Sequence, residues 1–262
     1  MNKILYLAIW GVVTGATMMA STVATADNDG RDGRDGNAGC RLVTRAQFEA
    51  AANSAATETD GFGFGLPMWA SMVDVSGKVC HVYSTDSGAA NTGAAAGNKA
   101  WLGSRLISAQ KANTANAFSL DNLTISTGAL YVAVLPGGSL YGLQHSNPVD
   151  ASVAYGGSPV TVGTNADFLK NKRIGGVNVF GGGVALYSGG VKVGAIGASG
   201  DTSCRDHTFA WRMRVALGLD GTPNSDALAL VATPTALFQQ PLCGVNDPLA
   251  ANGGGATFGI SN

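Results

Sequence analysis

The sequence has few charged residues and no excess of either sign. Only 13% of its 262 residues are Asp, Glu, Lys or Arg, and the formal net charge is −1. Proteins that bind nucleic acid or an anionic lipid surface carry clustered basic residues, because the phosphates of the partner must be neutralised. We therefore expect no nucleic-acid partner.

Long hydrophobic runs are absent beyond the N-terminal segment. That segment has a positive charge at Lys3, an apolar stretch over residues 4–20 and the cleavage pattern Ala24-Thr25-Ala26 before Asp27. The stretch is short and interrupted by small polar residues, which favours cleavage over retention as a membrane anchor. We predict a signal peptide over 1–26, no membrane span after its removal, and a periplasmic or secreted protein.

Cysteine is scarce, with four residues at Cys40, Cys80, Cys204 and Cys243. The spacings are too wide for a Cys-x-x-Cys redox or zinc motif, and no Cys-x-x-Cys-His motif is present for covalent haem attachment. An even number in an exported protein predicts two disulfides, for which three pairings exist. We favour Cys204–Cys243, because the tail after the last helix must be tied down, and this leaves Cys40–Cys80.

Glycine is abundant, with 38 residues, and it separates the predicted elements. The first predicted element is a helix over about 45–57, with a capping box at Thr44 and Gln47. Strands over 67–74 and 78–84 and a helix over about 98–118 follow. The last predicted elements are strands over 131–135, 184–187 and 191–196 and a helix from about Arg205. This order predicts an α+β fold with an antiparallel sheet of about five strands and flanking helices.

The domain organisation follows from the same patterns. We expect a flexible leader over 27–43, one domain over 44–220 with an insertion of mostly loop at about 128–173, and an irregular tail over 221–262. The helix over 98–118 is apolar on two sides, so it requires cover on both. The second cover is either another layer of the same chain or a neighbouring subunit, and we expect a homo-oligomer.

The last helix carries three functional candidates on one face. Its apolar residues share one side, whereas His207, Trp211 and Arg214 lie on another. An imidazole, an indole and a guanidinium suit a planar, anionic, aromatic ligand, although Trp and Arg are also enriched at subunit contacts. Neighbouring Asp206 and His207 point about 100° apart on a helix and cannot form a catalytic relay. Residues 197–201 also lack the spacing of a nucleophile elbow, so we predict no catalytic residue.

Five features of the sequence resemble the GlcG/HbpS haem-binding family. The family has a Gly-Gly pair before an apolar strand, a glycine-rich G-A-I-G-x-S-G strand, a following Asp, an Ala-x-x-Lys-Ala-x-Thr-Ala helix and a Val-Asp-x-x-Gly hairpin. The Gly-Gly pair matches Gly182-Gly183, the glycine-rich strand matches 194–200 and the following Asp is Asp206. The helix matches 109–115 and the hairpin matches 73–77. The resemblance covers about residues 44–217 and implies a profilin-like fold and haem, or another tetrapyrrole, as the ligand.

Haem binding needs an apolar slot, an axial ligand and basic or polar partners for the propionates. The sequence has three histidines, at His81, His145 and His207, and none lies in the first helix, where some family members hold their ligand. We predict His207 as the ligand of the haem iron, with Trp211 against the macrocycle and Arg214 near a propionate. His145, in the long loop, is the alternative ligand.

The predicted function is therefore that of an exported, non-catalytic haem-binding module. The alternative is an oligomeric scaffold or small-molecule sensor that has the same fold and binds no haem. A Soret absorption band in the purified protein separates the two.

Overall fold

A computed structural model describes residues 38–57, 63–86, 100–245 and 256–258 of the chain. These residues all belong to one compact unit, Arg34–Asn262. The predicted signal peptide and the predicted leader up to residue 37 lie outside the described residues. The last part of that leader, Ala38–Leu42, forms helix α1.

A central sheet of four antiparallel strands organises the domain. Its strands are β1 (Trp69–Asp74), β2 (Val79–Ser84), β3 (Gly183–Ser188) and β4 (Val191–Ser199), in the spatial order β2-β1-β4-β3. The turn between β3 and β4 is Gly189-Gly190, where both residues have positive φ, a conformation that glycine adopts without steric cost. The predicted α+β class is confirmed, with four strands in this sheet rather than five.

Helices cover both faces of the central sheet. Helices α2 (Arg45–Thr57) and α6 (Ser203–Ala216) share a hydrophobic cluster with one face, and α3 (Gly103–Phe118) shares a second cluster with the other. The predicted capping box at the start of α2 is present, because Thr44 and Gln47 exchange hydrogen bonds of 2.9 and 3.3 Å. In the part of the chain that the structure describes, no helix is both long and apolar enough to cross a bilayer.

The prediction of a strand over 131–135 is wrong. The chain instead forms two 3₁₀ turns, Thr127–Leu130 and Val132–Val134. The reason is that the outer edge of β3 is already occupied in part, since Tyr187 donates its N–H to the carbonyl of Leu219 at 2.9 Å. The rest of the insertion contains the short helices α4 (Leu143–Ser146) and α5 (Ala151–Ala154).

The tail is more regular than the sequence indicates. Strands β5 (Leu228–Val231), β6 (Gln239–Pro241) and β7 (Ala256–Phe258) form a second sheet in the order β6-β5-β7. The pairing of β5 with β6 is parallel and that of β5 with β7 is antiparallel. The four prolines of this tail predict an irregular segment, but β5 lies between two of them, β6 ends on Pro241 and β7 follows the last one.

Both favoured disulfides are present. Cys40 pairs with Cys80, which links α1 to β2, and Cys204 pairs with Cys243, which links the start of α6 to the segment after β6. None of the four cysteines is free. The second bridge therefore fastens the tail to the domain, as the sequence argument required.

Candidate functional site

The segments that resemble the family motif meet at a buried ion pair. The ammonium of Lys111 on α3 lies 2.6 Å from a carboxylate oxygen of Asp206 on α6 and 3.0 Å from the carbonyl oxygen of Ala198 on β4. Both charged side chains are shielded from solvent. Lys111 thus ties together three elements that carry motif residues, and the sequence analysis assigned it no role.

Burial dominates the ionisation of this pair. It raises the pKa of Asp206 to about 6, even though Lys111 attracts the charged carboxylate. Burial likewise lowers the pKa of the Lys111 ammonium. Because neither group reaches solvent, the pair serves to hold α3, β4 and α6 together.

A motif glycine sets the separation between α3 and the sheet. A Cβ atom at Gly197 would lie 1.9 Å from the carbonyl oxygen of Ser108 and 2.4 Å from the backbone nitrogen of Ala112. Any larger residue would push the helix away from β4. The glycine-rich strand therefore has a packing function, which brings Lys111 close enough to reach Asp206.

His207 lies in the core and is not on an open face. Its side chain is 1% exposed, and neither ring nitrogen has a hydrogen-bond partner among the described residues. The expectation that this face of α6 is outside the core fails because the chain packs over it. A Cβ atom at Gly181 would lie 3.0 Å from the Cβ of His207, and Gln240 of β6 accepts the N–H of Gly181. Burial lowers the pKa of His207 to about 4, so the imidazole is neutral at physiological pH.

The structure does bring the three candidates on α6 together. The rings of His207 and Trp211 have centroids 6.0 Å apart, and the guanidinium of Arg214 lies 4.1 Å from the Trp211 ring. Arg214, however, is 1% exposed and forms two hydrogen bonds of 2.8 Å with Asp226. Its charge is already neutralised inside the protein, so it is not free to bind a propionate.

The other two histidines lie elsewhere. His145 is exposed on α4. His81 is buried on β2, where its Nε2 lies 2.8 Å from the carbonyl oxygen of Val43 and its ring packs 5.2 Å from that of Phe48. Burial lowers the pKa of His81. Its role is therefore to link β2 to the start of α2.

A cavity of about 650 Å³ opens between the first half of α3 and the insertion. We call it the α3 cavity. It is lined by Leu102, Gly103, Arg105, Leu106, Ile107, Gln110, Val149, Ala154, Tyr155, Gly156, Gly157, Ser158, Pro159 and Val162. Sequence reasoning missed this cavity because its walls come from segments about 40 residues apart, although the second apolar side of α3 was a signal that something covers it.

A buried ion pair fixes the insertion against α3 beside the cavity. Arg105 forms hydrogen bonds of 2.9 and 2.5 Å with Asp167, and it donates a longer one of 3.4 Å to the carbonyl of Ala154. Asp167 also accepts N–H bonds from Gly163 and Leu169. The cavity wall is therefore held in place by a satisfied polar network, which favours a preformed site.

Comparisons with known proteins agree with the motif. Protein ORFY of Klebsiella pneumoniae, described under the family model DUF336, shares 24% identity over 68% of this chain and 89% of its own, with a TM-score of 0.44. A PduOC–haem complex shares 25% identity over 65% of this chain and 89% of its own, with a TM-score of 0.43. No curated protein matches the chain. Residues 44–213, well over half of the chain, match the family model described as haem-degrading protein HbpS-like. The chain therefore belongs to the HbpS-like family.

Proposed function

We propose that this protein is an exported, non-catalytic binding protein for haem or a closely related tetrapyrrole, and that the α3 cavity receives the macrocycle. The observation that carries the proposal is the cavity itself. Its volume of about 650 Å³ lies within the range of about 300–1,000 Å³ that is typical of small-molecule sites.

The residues of the cavity fit a tetrapyrrole. Its walls are mostly apolar, with Leu106, Ile107 and Val162 among them, and such surfaces bury the faces of a flat apolar ring. Gln110 and Ser158 offer hydrogen-bond donors at the same site for carboxylates of the ligand. The family to which the chain belongs is described by its action on haem, and this supports the choice of ligand.

Binding rather than turnover is proposed because no described residue around the cavity forms a catalytic arrangement. Arg105 is committed to Asp167, and the buried Lys111–Asp206 pair is remote from solvent. The family description nevertheless makes degradation a measurable alternative. Incubation of the complex with a reductant and oxygen distinguishes binding from turnover. Turnover destroys the macrocycle and abolishes the Soret band, whereas with simple binding the band persists and only shifts with the oxidation state of the iron.

A titration of the purified protein with haem tests the proposal. We expect a saturable Soret shift with one haem per chain. The same titration of His207→Ala and His145→Ala tests the sequence-based proposal that His207 is the iron ligand, with His145 as its alternative. If only one of the two variants loses the absorption spectrum of histidine-ligated haem, the histidine replaced in that variant is the iron ligand.

The competing function is an oligomeric scaffold or small-molecule sensor of the same fold. It predicts no Soret shift at any haem concentration and no protection of the protein against thermal unfolding by haem. A protein that binds haem is stabilised by an amount that rises with the logarithm of the ligand concentration above the dissociation constant. Thermal unfolding with and without haem therefore provides a second, independent readout.

A further inference from the structure

We infer that Tyr155 provides the axial ligand, a phenolate oxygen, to the iron of a ferric haem in the α3 cavity. The inference rests on the proposed function and adds to it the identity of the iron ligand. Haem iron in proteins is held by histidine, cysteine, methionine or tyrosine side chains. Among the described residues that line the cavity, Tyr155 is the one that belongs to this set.

The sequence-based candidates do not line this cavity. His145 lies on α4 and is exposed, His207 is buried in the core, and neither lines the cavity. A ligand for iron bound in the cavity must come from a side chain that faces it. Tyr155 belongs to the lining of the cavity and directly follows α5.

The backbone that carries Tyr155 is fixed on its N-terminal side. The carboxylate of Asp150 caps α5 by accepting hydrogen bonds from the N–H groups of Ser152 and Val153. The N–H of Tyr155 then donates to the carbonyl of Ala151 at 3.1 Å. Together with the bond from Arg105 to the carbonyl of Ala154, these contacts hold the last turn of α5 against α3.

The backbone is also fixed on the C-terminal side. Gly157 has a φ of +86°, and a Cβ atom there would lie 2.4 Å from the Cβ of Phe168. Glycine is therefore required for the chain to turn so close to the phenylalanine ring. The ammonium of Lys172 lies 3.2 Å from the centroid of that ring, so Phe168 is itself held.

The side chain of Tyr155 remains accessible between these two fixed points. It is 80% exposed, which is the largest exposed fraction among the bulky hydrophobic side chains that the structure describes. An exposed aromatic residue on a rigid turn at the mouth of an apolar cavity loses little conformational freedom when it binds a ligand. The geometry thus combines a preorganised backbone with a free phenol.

Spectroscopy of the ferric haem complex tests this assignment. The probes are haem and metal-free protoporphyrin IX, and the variants are Tyr155→Phe and the control Tyr141→Phe. Tyr141 is also exposed, at 64%, but does not line the cavity. In the wild type and in Tyr141→Phe we expect the charge-transfer absorption and the phenolate vibrations in resonance Raman spectra that iron–tyrosinate ligation produces.

In Tyr155→Phe we expect both signatures to vanish and the affinity for haem to fall by about tenfold or more, which corresponds to about 1.4 kcal/mol. The affinity for protoporphyrin IX should stay the same, because that ligand has no iron to bind. Since Tyr155 is exposed, the variant is expected to fold normally, and circular dichroism checks this.

The possible failures are distinguishable. A wild-type spectrum in Tyr155→Phe, or histidine ligation in the wild type, overturns the assignment of Tyr155 and leaves the proposed function intact. Binding of protoporphyrin IX without any binding of haem also overturns the assignment of Tyr155 and leaves the proposed function intact. If the wild type binds neither compound, both the assignment and the proposed function are wrong.

Discussion

The buried imidazole of His207 gives the protein a pH-dependent stability. Burial without a hydrogen-bond partner disfavours the charged form, which lowers the pKa of His207 from 6.5 to about 4. A base with a lowered pKa in the folded state stabilises the fold above pH 6.5 and loses this contribution as the pH falls towards 4. Asp206, with a pKa raised to about 6, acts in the opposite direction, since its contribution is lost as the pH rises through 6.

Comparison with His207→Leu isolates the histidine. Between pH 7.5 and pH 4.5 we expect the free energy of unfolding of the wild type to fall by about 2–3 kcal/mol relative to that of the variant, because each pKa unit corresponds to about 1.36 kcal/mol. Urea unfolding at the two pH values measures this difference. Identical pH dependence of the two proteins would mean that His207 is not enclosed as described.

The Lys111–Asp206 pair provides a second test at the scale of residues. In Lys111→Met the carboxylate of Asp206 stays buried and keeps the N–H of Asp201 but loses its counter-charge, and breaking a buried ion pair costs about 3–5 kcal/mol. We expect the double variant Lys111→Met/Asp206→Leu to recover most of this loss, because no charge remains in the core. Urea unfolding of the three proteins provides the values, and a loss below about 1 kcal/mol in Lys111→Met would contradict the structural role of the pair.

At the scale of elements, the fit of α3 against β4 depends on Gly197. In Gly197→Ala the added methyl group would overlap the backbone of α3, and we expect a destabilisation of at least about 2 kcal/mol. Gly221→Ala is the matched control, since a Cβ atom there has nothing within 4 Å. Thermal unfolding compares the two variants, and equal melting temperatures would show that the helix adjusts without cost.

Most elements of the domain were predictable from local pattern. The capping box of α2, the double-glycine turn between β3 and β4 and the polar cap of α6 are signals within a few residues of one another, and Thr202 does accept the N–H of Arg205. Such signals depend on backbone geometry that the neighbouring residues determine. The central sheet and its flanking helices follow from them.

The elements that could not be predicted depend on contacts distant in the sequence. Residues 131–135 have the composition of a strand, but the edge at which they would pair is partly taken by Leu219. The helical wheel likewise assigns His207 to an outer face, because it contains no information on the tail that brings Gln240 over α6. The α3 cavity escaped the sequence analysis for the same reason, since α3 and α5 form it jointly.

At the scale of the whole molecule, the two disulfides fit an oxidising compartment. We expect the mature protein to begin at Asp27 and to contain no reactive thiol. Mass spectrometry after alkylation, with a reduced sample as the control, checks both points. Alkylation of any cysteine without prior reduction would contradict the two bridges, and an uncleaved N-terminus would contradict export by a signal peptide.

The insertion removes one reason to expect a homo-oligomer. The second apolar side of α3 faces the insertion of the same chain across the α3 cavity, so a neighbouring subunit is not required to cover it. A homo-oligomer stays a prediction from the low charge of the sequence and from its exposed apolar residues, such as Trp101 and Leu102. Light scattering tests it, and a monomer at micromolar concentration would contradict it.

The central claim, that a tetrapyrrole occupies the α3 cavity, is tested most directly by filling that cavity. Ile107→Trp adds bulk to its wall, whereas Leu237→Trp adds the same group at an exposed site that does not line the cavity. In haem titrations followed at the Soret band, we predict that Ile107→Trp weakens binding by about tenfold or more, while Leu237→Trp binds like the wild type. Equal affinity of Ile107→Trp and the wild type, with both proteins folded, would contradict the account.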